Sequence, residues 1–409
     1  MKSCLGNGVR IVTEEVKGVR SVSLGVAFLT GSRHEKRRES GISHLVEHML
    51  FKGTKKRDAF RIAVESDSLG AELNGFTANE FTYYYARFLD QHLEKIWDIL
   101  SDIVLNPLFK KDELEREKGV VIEEIRNSND SPEEEVFRQL SECLFPEHPI
   151  AYPISGKEEV VKKLTRKDLL DFKKRRYCGE NAIVAASGRL SFVKLKELVE
   201  ESLLSLPNLK EDITPTPFPQ KIIKSKEKKK KDISQVHIAL GRRTFKYDSP
   251  YRYSILVLNT LLGNSMSSRL FQRLREREGL VYNVFSFLQF YRDTGTLGVY
   301  LATSPSTKKK AIDIVFEELE KLKRDGLMKK ELVNTKEHLK GGFILGLEST
   351  VNRMVRILKE EIYLQREVSI DETLKAVDSV SEDDVVSLAR ELFDRDKFAI
   401  SVVEPEQVE

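Results

Sequence analysis

The order of secondary-structure signals in the first half of this 409-residue chain recurs in the second half. Each half begins with an apolar strand, continues with helices and then strands joined by short connections, and closes with further helices and a last strand. The correspondence is easiest to see between KKDEL at residues 110–114 and KKEL at residues 329–332. Because the short connections leave no room for a parallel crossover, the paired strands are expected to be antiparallel. The chain therefore predicts an α+β fold of two similar domains, each an antiparallel β-sheet with helices packed on one face.

A proline- and lysine-rich stretch, Leu206–Ser234, separates the two halves. Its prolines and the run KEKKKK at residues 226–231 are typical of a solvated linker. A nucleic-acid-binding or nuclear-localisation segment is the alternative interpretation of the lysines, but no aromatic residue lies among them. We expect a first domain at residues 1–210, a linker at residues 211–232 and a second domain at residues 233–409.

The first half carries the sequence His44-Leu45-Val46-Glu47-His48, an H-x-x-E-H motif. Two histidines four residues apart share one face of a helix, so both imidazoles can bind one metal ion, and Glu47 is close enough to orient a water molecule there. Ser40 is the expected N-cap of this helix. The opposite face is apolar and suits a core position, with Ile42, Leu45, Val46, Met49 and Leu50. The corresponding segment of the second half, residues 260–264 (TLLGN), has no ligand, so we expect one metal ion per chain.

A further ligand is expected from the helix predicted at residues 110–127. Glu117 and Glu124 are seven residues apart, two helical turns, so their carboxylates point the same way. Glu123 is rotated by about 100° from Glu124 and is the weaker candidate. An acidic helix taken alone usually presents a solvated face. Together with the histidines, however, a carboxylate completes a His, His, Glu set with room for water, which is typical of catalytic zinc.

The motif and the Glu-x6-Glu pair resemble the inverzincin zinc metallopeptidases of the pitrilysin family, which includes insulin-degrading enzyme and the mitochondrial processing peptidase. The likeness is to the short, two-domain processing proteases of bacteria and extends over essentially the whole chain. It implies that His44, His48 and Glu124 are ligands of one Zn2+ per chain. It further implies that Glu47 is the general base and that Glu117 supports a ligand or the charge of the site. Manganese and cobalt are alternatives for the same ligand set.

Two further segments resemble substrate-binding parts of that family. Glu72–Ala78 resembles the edge strand that pairs with the substrate backbone, which implies the substrate-binding residues Asn74, Gly75, Phe76 and Thr77. The sequence Arg275-x6-Tyr282 resembles the Arg/Tyr pair that closes over the substrate. From spacing alone, Arg275 suits the last turn of a helix and Tyr282 suits a strand core. The resemblance implies instead that both side chains hydrogen-bond the carbonyl oxygen of the scissile peptide.

These features together predict a zinc-dependent endopeptidase that hydrolyses peptides or unfolded polypeptide segments inside a chamber. In family members about twice this length, the metal site lies in the first half of the chain and the Arg/Tyr pair lies in the second half. This chain resembles only one half of such an enzyme, yet it carries both the metal site and the Arg/Tyr pair. A homodimer, with Arg275 and Tyr282 of one subunit serving the zinc site of the other, is therefore expected. The alternatives are a non-catalytic or heterodimer-partner subunit of a processing peptidase and a small-molecule zinc lyase. The intact motif argues against the former, and the chain length argues against the latter.

Composition and charge narrow the classes of partner. A formal net charge of +3 is too small for this length to indicate a nucleic-acid or membrane partner. The 3 cysteines are unclustered, which favours a reducing compartment over a disulfide framework. Residues 1–8 lack the apolar core of a signal peptide, and the sequence contains no apolar run of about 18 residues. We therefore expect a cytoplasmic protein.

Overall fold

The computed structural model describes residues 1–208 and 216–406. Its β-strands are β1 Lys2–Cys4, β2 Arg10–Glu15, β3 Ser21–Phe28, β4 Glu72–Thr77, β5 Thr82–Leu89, β6 Ala182–Gly188, β7 Ser225–Lys230, β8 Val236–Thr244, β9 Val281–Phe290, β10 Gly295–Thr303 and β11 Ala399–Pro405. Its α-helices are α1 Ile42–Leu50, α2 Ala59–Ser68, α3 Leu93–Leu105, α4 Lys111–Asp130, α5 Pro132–Leu144, α6 Glu158–Val161, α7 Arg166–Arg176, α8 Phe192–Leu203, α9 Arg252–Gly263, α10 Lys308–Asp325, α11 Lys329–Gly346, α12 Thr350–Tyr363, α13 Ile370–Ser379 and α14 Glu382–Leu392. No helix in these two stretches is both long enough and apolar enough to cross a membrane.

Within the described residues the strands form two sheets, a six-stranded sheet in the order β1-β2-β6-β3-β5-β4 and a five-stranded sheet in the order β7-β11-β8-β10-β9. Helices pack on both sheets, so the predicted α+β class is confirmed. Most strand pairs are antiparallel, as predicted. Each sheet also contains one parallel pair that the sequence did not indicate, β2 with β6 and β7 with β11. Both parallel pairs join strands that are far apart in sequence, so long crossovers connect them.

The chain divides by its contacts into two compact units, and neither is continuous in sequence. Unit 1 comprises Met1–Asn127, Tyr152–Pro217 and Gly346–Glu367, and unit 2 comprises Ser128–Ala151, Phe218–Leu345 and Val368–Glu409. Each unit therefore contains a helix from the other half of the sequence, a departure from the contiguous domains 1–210 and 233–409. The order of secondary-structure elements in the sequence does not indicate that the two halves exchange a helix in this way.

Helix α12 shows why the exchange occurs. Its apolar side chains, among them Met354 and Leu358, pack in unit 1 against the face of the six-stranded sheet that Ala27 and Ala185 contribute to. The opposite face of that sheet is covered by α1, α3, α7 and α8 in a separate core. With both faces covered, β3 is buried along nearly its whole length. Helix α5 packs in the same way on β8 and β11 in unit 2.

The lysine run expected within the linker is instead the edge strand β7 of unit 2. Lys228 contacts the buried carboxylate of Glu135 at 3.0 Å, and Lys226 pairs with Glu142. Most side chains of β7 are exposed, and charged lysines on an edge strand discourage pairing with other chains. Residues 211–215 of the predicted linker lie outside the described residues.

Candidate active site

Helix α1 has two faces, as its sequence predicts. Its apolar side chains are fully buried, whereas His44, Glu47 and His48 are partly exposed on the other face. The expectation that Ser40 caps this helix is wrong, because the N-cap is Gly41, with φ of 91°. The buried carboxyl group of Glu35 accepts hydrogen bonds from the backbone N–H groups of Gly41 at 2.7 Å and Ser43 at 2.8 Å. Burial raises the pKa of Glu35 to about 8.

The predicted ligands come together between α1 and α4. Oε2 of Glu124 lies 3.8 Å from Nε2 of His44 and 3.7 Å from Nε2 of His48. One ligand atom from each of the three residues lies within 4.8 Å of the others. Ligands of a tetrahedral zinc ion are about 3.3 Å apart, so this donor set fits zinc with small adjustments. Burial lowers the pKa of His44 to about 4, which keeps its imidazole neutral, as a metal ligand must be.

Glu117 contacts His48 from a position on α4 two turns before Glu124. Its Oε2 lies 3.1 Å from Nδ1 of His48, and its Oε1 lies 2.9 Å from Nζ of Lys52. The carboxylate is buried, with the residue 6% exposed. Nothing in the sequence singled out Lys52, although it follows His48 by four residues and so lies on the same side of the turn that extends α1.

Glu47 packs against strand β4. The hydroxyl of Thr77 donates a hydrogen bond to Oε2 of Glu47 at 2.5 Å. A Cβ atom at Gly75 would lie 2.9 Å from Cγ of Glu47 and 3.0 Å from its Oε1, so this contact requires glycine. Burial raises the pKa of Glu47, and the bond from Thr77 opposes that effect. The general-base candidate is therefore held between its own helix and one edge of the sheet.

The predicted substrate-binding strand lies at that edge. Among the described residues β4 pairs only with β5, in antiparallel register with Gly75 opposite Tyr84. Asn74 and Phe76 are exposed, whereas Thr77 is buried beside Glu47. Asn74 Oδ1 accepts a hydrogen bond from the backbone N–H of Gly75 at 2.8 Å. An edge strand with exposed alternate side chains is suited to pairing with an extended peptide.

Arg275 and Tyr282 belong to unit 2, whereas the residues described above belong to unit 1. Arg275 lies in a π-helical segment, Phe271–Arg277, where the sequence predicted an ordinary helix. Its guanidinium lies 5.1 Å from the ring centroid of Tyr282 and 4.9 Å from that of Phe271. Tyr282 is 77% exposed, so it is not the core residue that its strand position suggests. The two side chains thus form a cation–π pair in which the tyrosine is exposed.

Family models and curated relatives all indicate peptidases of one family. Residues 10–158 match the family described as insulinase (peptidase family M16), and residues 163–339 match the peptidase M16 inactive domain. The chain is 38% identical over 399 residues to the uncharacterized zinc protease YmxG of Bacillus subtilis, covering 98% of this chain and 97% of that protein. It is 37% identical over 407 residues to an uncharacterized zinc protease of Mycobacterium tuberculosis, covering 99% and 93%.

Two solved structures share the fold. A protease from Helicobacter pylori superposes with a TM-score of 0.90 at 24% identity, covering 99% of both chains. A Pseudomonas fluorescens protein described as a peptidase M16 inactive domain superposes with a TM-score of 0.91 at 20% identity, covering 100% of this chain and 99% of that one.

Proposed function

Because the chain belongs to peptidase family M16, we propose that it is a zinc-dependent endopeptidase acting on peptides or unfolded polypeptide segments. The observation that carries the proposal is the convergence of His44, His48 and Glu124, with the carboxylate of Glu47 close enough to interact electrostatically with His48 and Glu124. A set of two histidines and one carboxylate, with no fourth protein ligand among the described residues, is characteristic of catalytic rather than structural zinc. When bound, zinc supplies Lewis acidity at the peptide carbonyl and makes water more acidic.

Glu47 provides the proton transfers. It accepts a proton from the attacking water and delivers it to the departing amide nitrogen, so a single carboxylate serves as base and then as acid. The hydrogen bond from Thr77 and the close packing of Gly75 restrict its side chain, which keeps the free oxygen, Oε1, available. Such positioning of the base reduces the entropy lost on reaching the transition state.

Substrate binding is assigned to the edge of β4. An extended peptide adds to this edge through backbone hydrogen bonds, which gives affinity with little demand on its side chains. Arg275 and Tyr282 donate hydrogen bonds to the oxygen of the scissile carbonyl, where negative charge develops. We further propose that the pair acts in a homodimer, across the subunits, and that the dimer encloses a chamber that admits only peptides or unfolded segments.

Metal analysis combined with peptide cleavage tests the proposal. The wild-type protein and Glu47→Gln are each assayed for bound zinc and for cleavage of a mixed library of unfolded peptides. We expect about one zinc per chain in both proteins and cleavage by the wild type alone. Zinc binding without cleavage by the wild type would favour a non-catalytic or heterodimer-partner subunit. Protein that binds no zinc would contradict the proposal altogether.

A further inference from the structure

We infer that Lys52 positions His48 as a metal ligand, acting through the carboxylate of Glu117. The inference rests on the proposed function, since it takes His48 to be a ligand of zinc. The contacts that carry it are the 2.9 Å approach of Lys52 Nζ to Glu117 Oε1 and the 3.1 Å approach of Glu117 Oε2 to His48 Nδ1. Lys52 is therefore linked to His48 through one buried side chain, that of Glu117.

The contact with Glu117 selects the tautomer of His48. A neutral imidazole carries one N–H, and the nitrogen without hydrogen is the one that can bind a metal. A carboxylate oxygen beside Nδ1 places the hydrogen there and leaves the lone pair on Nε2, the atom that lies 3.7 Å from Oε2 of Glu124. Nδ1 of His44, by contrast, has no hydrogen-bond partner among the described residues. The Glu117 contact therefore orients one of the two imidazoles.

Lys52 holds the carboxylate of Glu117 in place. Its side chain extends from α4, whereas His48 lies on α1, so the contact depends on a flexible side chain that bridges two helices. The ammonium group of Lys52 forms an ion pair with Oε1 and leaves Oε2 to accept a hydrogen bond from His48. Lys52 is itself held near His48, because its backbone N–H continues the helical turn by bonding to the carbonyl of Met49 at 3.3 Å. Each oxygen of the buried carboxylate thus has its own polar partner.

The positive charge of Lys52, considered alone, predicts the opposite effect on zinc affinity. The charged side chains near the ligands include Lys52 and the carboxylates of Glu47 and Glu117. The positive charge of Lys52 repels an incoming zinc ion, so removal of that charge would by itself strengthen zinc binding. If Lys52 acts by positioning, its removal weakens binding instead. The sign of the change in zinc affinity therefore separates the two roles.

The test measures zinc affinity by competition with a chromophoric chelator at one pH, for the full-length wild-type chain and a set of variants. Lys52→Met removes the donor at similar length, and Lys52→Arg retains charge and donors. Lys55→Met is the matched control, since Lys55 is an exposed lysine in the same loop. Loss of such outer partners typically weakens metal binding by about 10–100-fold. We expect about a tenfold loss in Lys52→Met, near-complete recovery in Lys52→Arg and no change in Lys55→Met.

A double variant shows whether Lys52 acts through Glu117. In the Glu117→Ala background, Lys52→Met should weaken zinc binding no further, because the carboxylate through which Lys52 acts is absent. Nitrogen-15 spectra of the histidine rings give a second readout, with His48 held as the Nδ1–H tautomer in wild type and a mixture in Lys52→Met. Unchanged or tighter zinc binding in Lys52→Met, or an equal loss in both backgrounds, would overturn the inference.

The test remains decisive if Lys52→Met does not fold or if the protein has no peptidase activity. If Lys52→Met does not fold, Lys52→Gln replaces it in the same comparison, with the same expected and contrary outcomes. Because the readout is zinc affinity, a zinc-binding protein that cleaved no peptide would contradict the proposed peptidase function without altering the test of Lys52.

Discussion

Thr77 on the edge strand β4 donates its hydroxyl to a carboxylate oxygen of Glu47 on helix α1, with the two oxygen atoms 2.5 Å apart. This bond connects the proposed substrate-binding strand directly to the proposed general base. Two residues earlier, Gly75 brings the backbone of β4 against the same side chain. The position of a peptide paired with β4 would therefore be coupled to the position of Glu47. Changes in this contact should lower peptidase activity more than they lower zinc affinity.

Gly75→Ala tests that coupling. The added methyl group would lie 2.9 Å from Cγ of Glu47 and 3.1 Å from Cε2 of Phe51, so Glu47 or the strand must shift. We expect peptidase activity to fall by about 100-fold, since a displacement of about 1 Å at a catalytic group has that effect. Bound zinc should be unchanged. Gly119→Ala is the matched control: a Cβ there meets no atom within 4 Å, and the variant should be fully active and about 1 kcal/mol more stable. Full activity of Gly75→Ala would show that the contact is not needed.

Glu47→Gln should retain zinc and the fold but lose peptidase activity by about 100- to 10,000-fold, the usual contribution of a general base. Glutamine has the same shape and can still accept the hydrogen bond from Thr77, but it cannot take a proton from water. Zinc content by metal analysis and turnover of a fluorogenic peptide check the two parts separately. Loss of zinc from this variant would mean that Glu47 has been assigned the wrong role.

Substitutions at adjacent glutamates distinguish the ligand on α4. Glu124 approaches both histidines, whereas Glu123 pairs with Arg126 at 2.6 Å on the exposed side of the helix. Glu124→Gln should weaken zinc binding by more than the roughly 10–100-fold typical of outer-sphere partners. Glu123→Gln should be silent, because an exposed ion pair contributes at most about 1 kcal/mol. The reverse order of zinc affinities would identify Glu123 as the ligand.

Subunit mixing tests the proposed homodimer. Glu47→Gln and Tyr282→Phe proteins, each inactive alone, are combined under conditions that allow exchange of subunits. If Tyr282 serves the site of the partner, each mixed dimer has one doubly altered site and one intact site, so activity returns to a substantial fraction of the wild-type value. If Tyr282 serves its own chain, every site keeps one lesion. Absence of recovery after verified exchange would eliminate the trans arrangement.

Glu35 predicts a pH dependence of stability. Burial raises its pKa in the folded protein to about 8 from 4.5, so between these values the folded state binds more protons than the unfolded state. The contribution of Glu35 to the free energy of unfolding is therefore largest below about pH 4.5 and falls as the pH rises to about 8. Urea denaturation of metal-free wild type and Glu35→Gln should show the stability difference shifting against the wild type over this window. A difference that is independent of pH would contradict the raised pKa.

Local spacing determined a large part of the candidate site. His44, Glu47 and His48 lie within one turn and a half of helix, and Glu117 and Glu124 are separated by two turns, so helical geometry alone sets which side chains share a face. The preference of Glu124 over Glu123 follows from the same periodicity. The alternation of short-linked strands and helices likewise indicated the α+β class.

Only the tertiary structure decided which separate segments meet. The hydrogen bond from Thr77 to Glu47, the ion pair of Lys52 with Glu117 and the capping of α1 by Glu35 join residues whose sequence separations follow no local period. The exchange of α5 and α12 between the two units is of the same kind, because an apolar helix face carries no information about which sheet it will cover. Helical periodicity arises from backbone geometry within a few residues, whereas these contacts depend on how the whole chain packs its apolar faces and satisfies its buried polar groups.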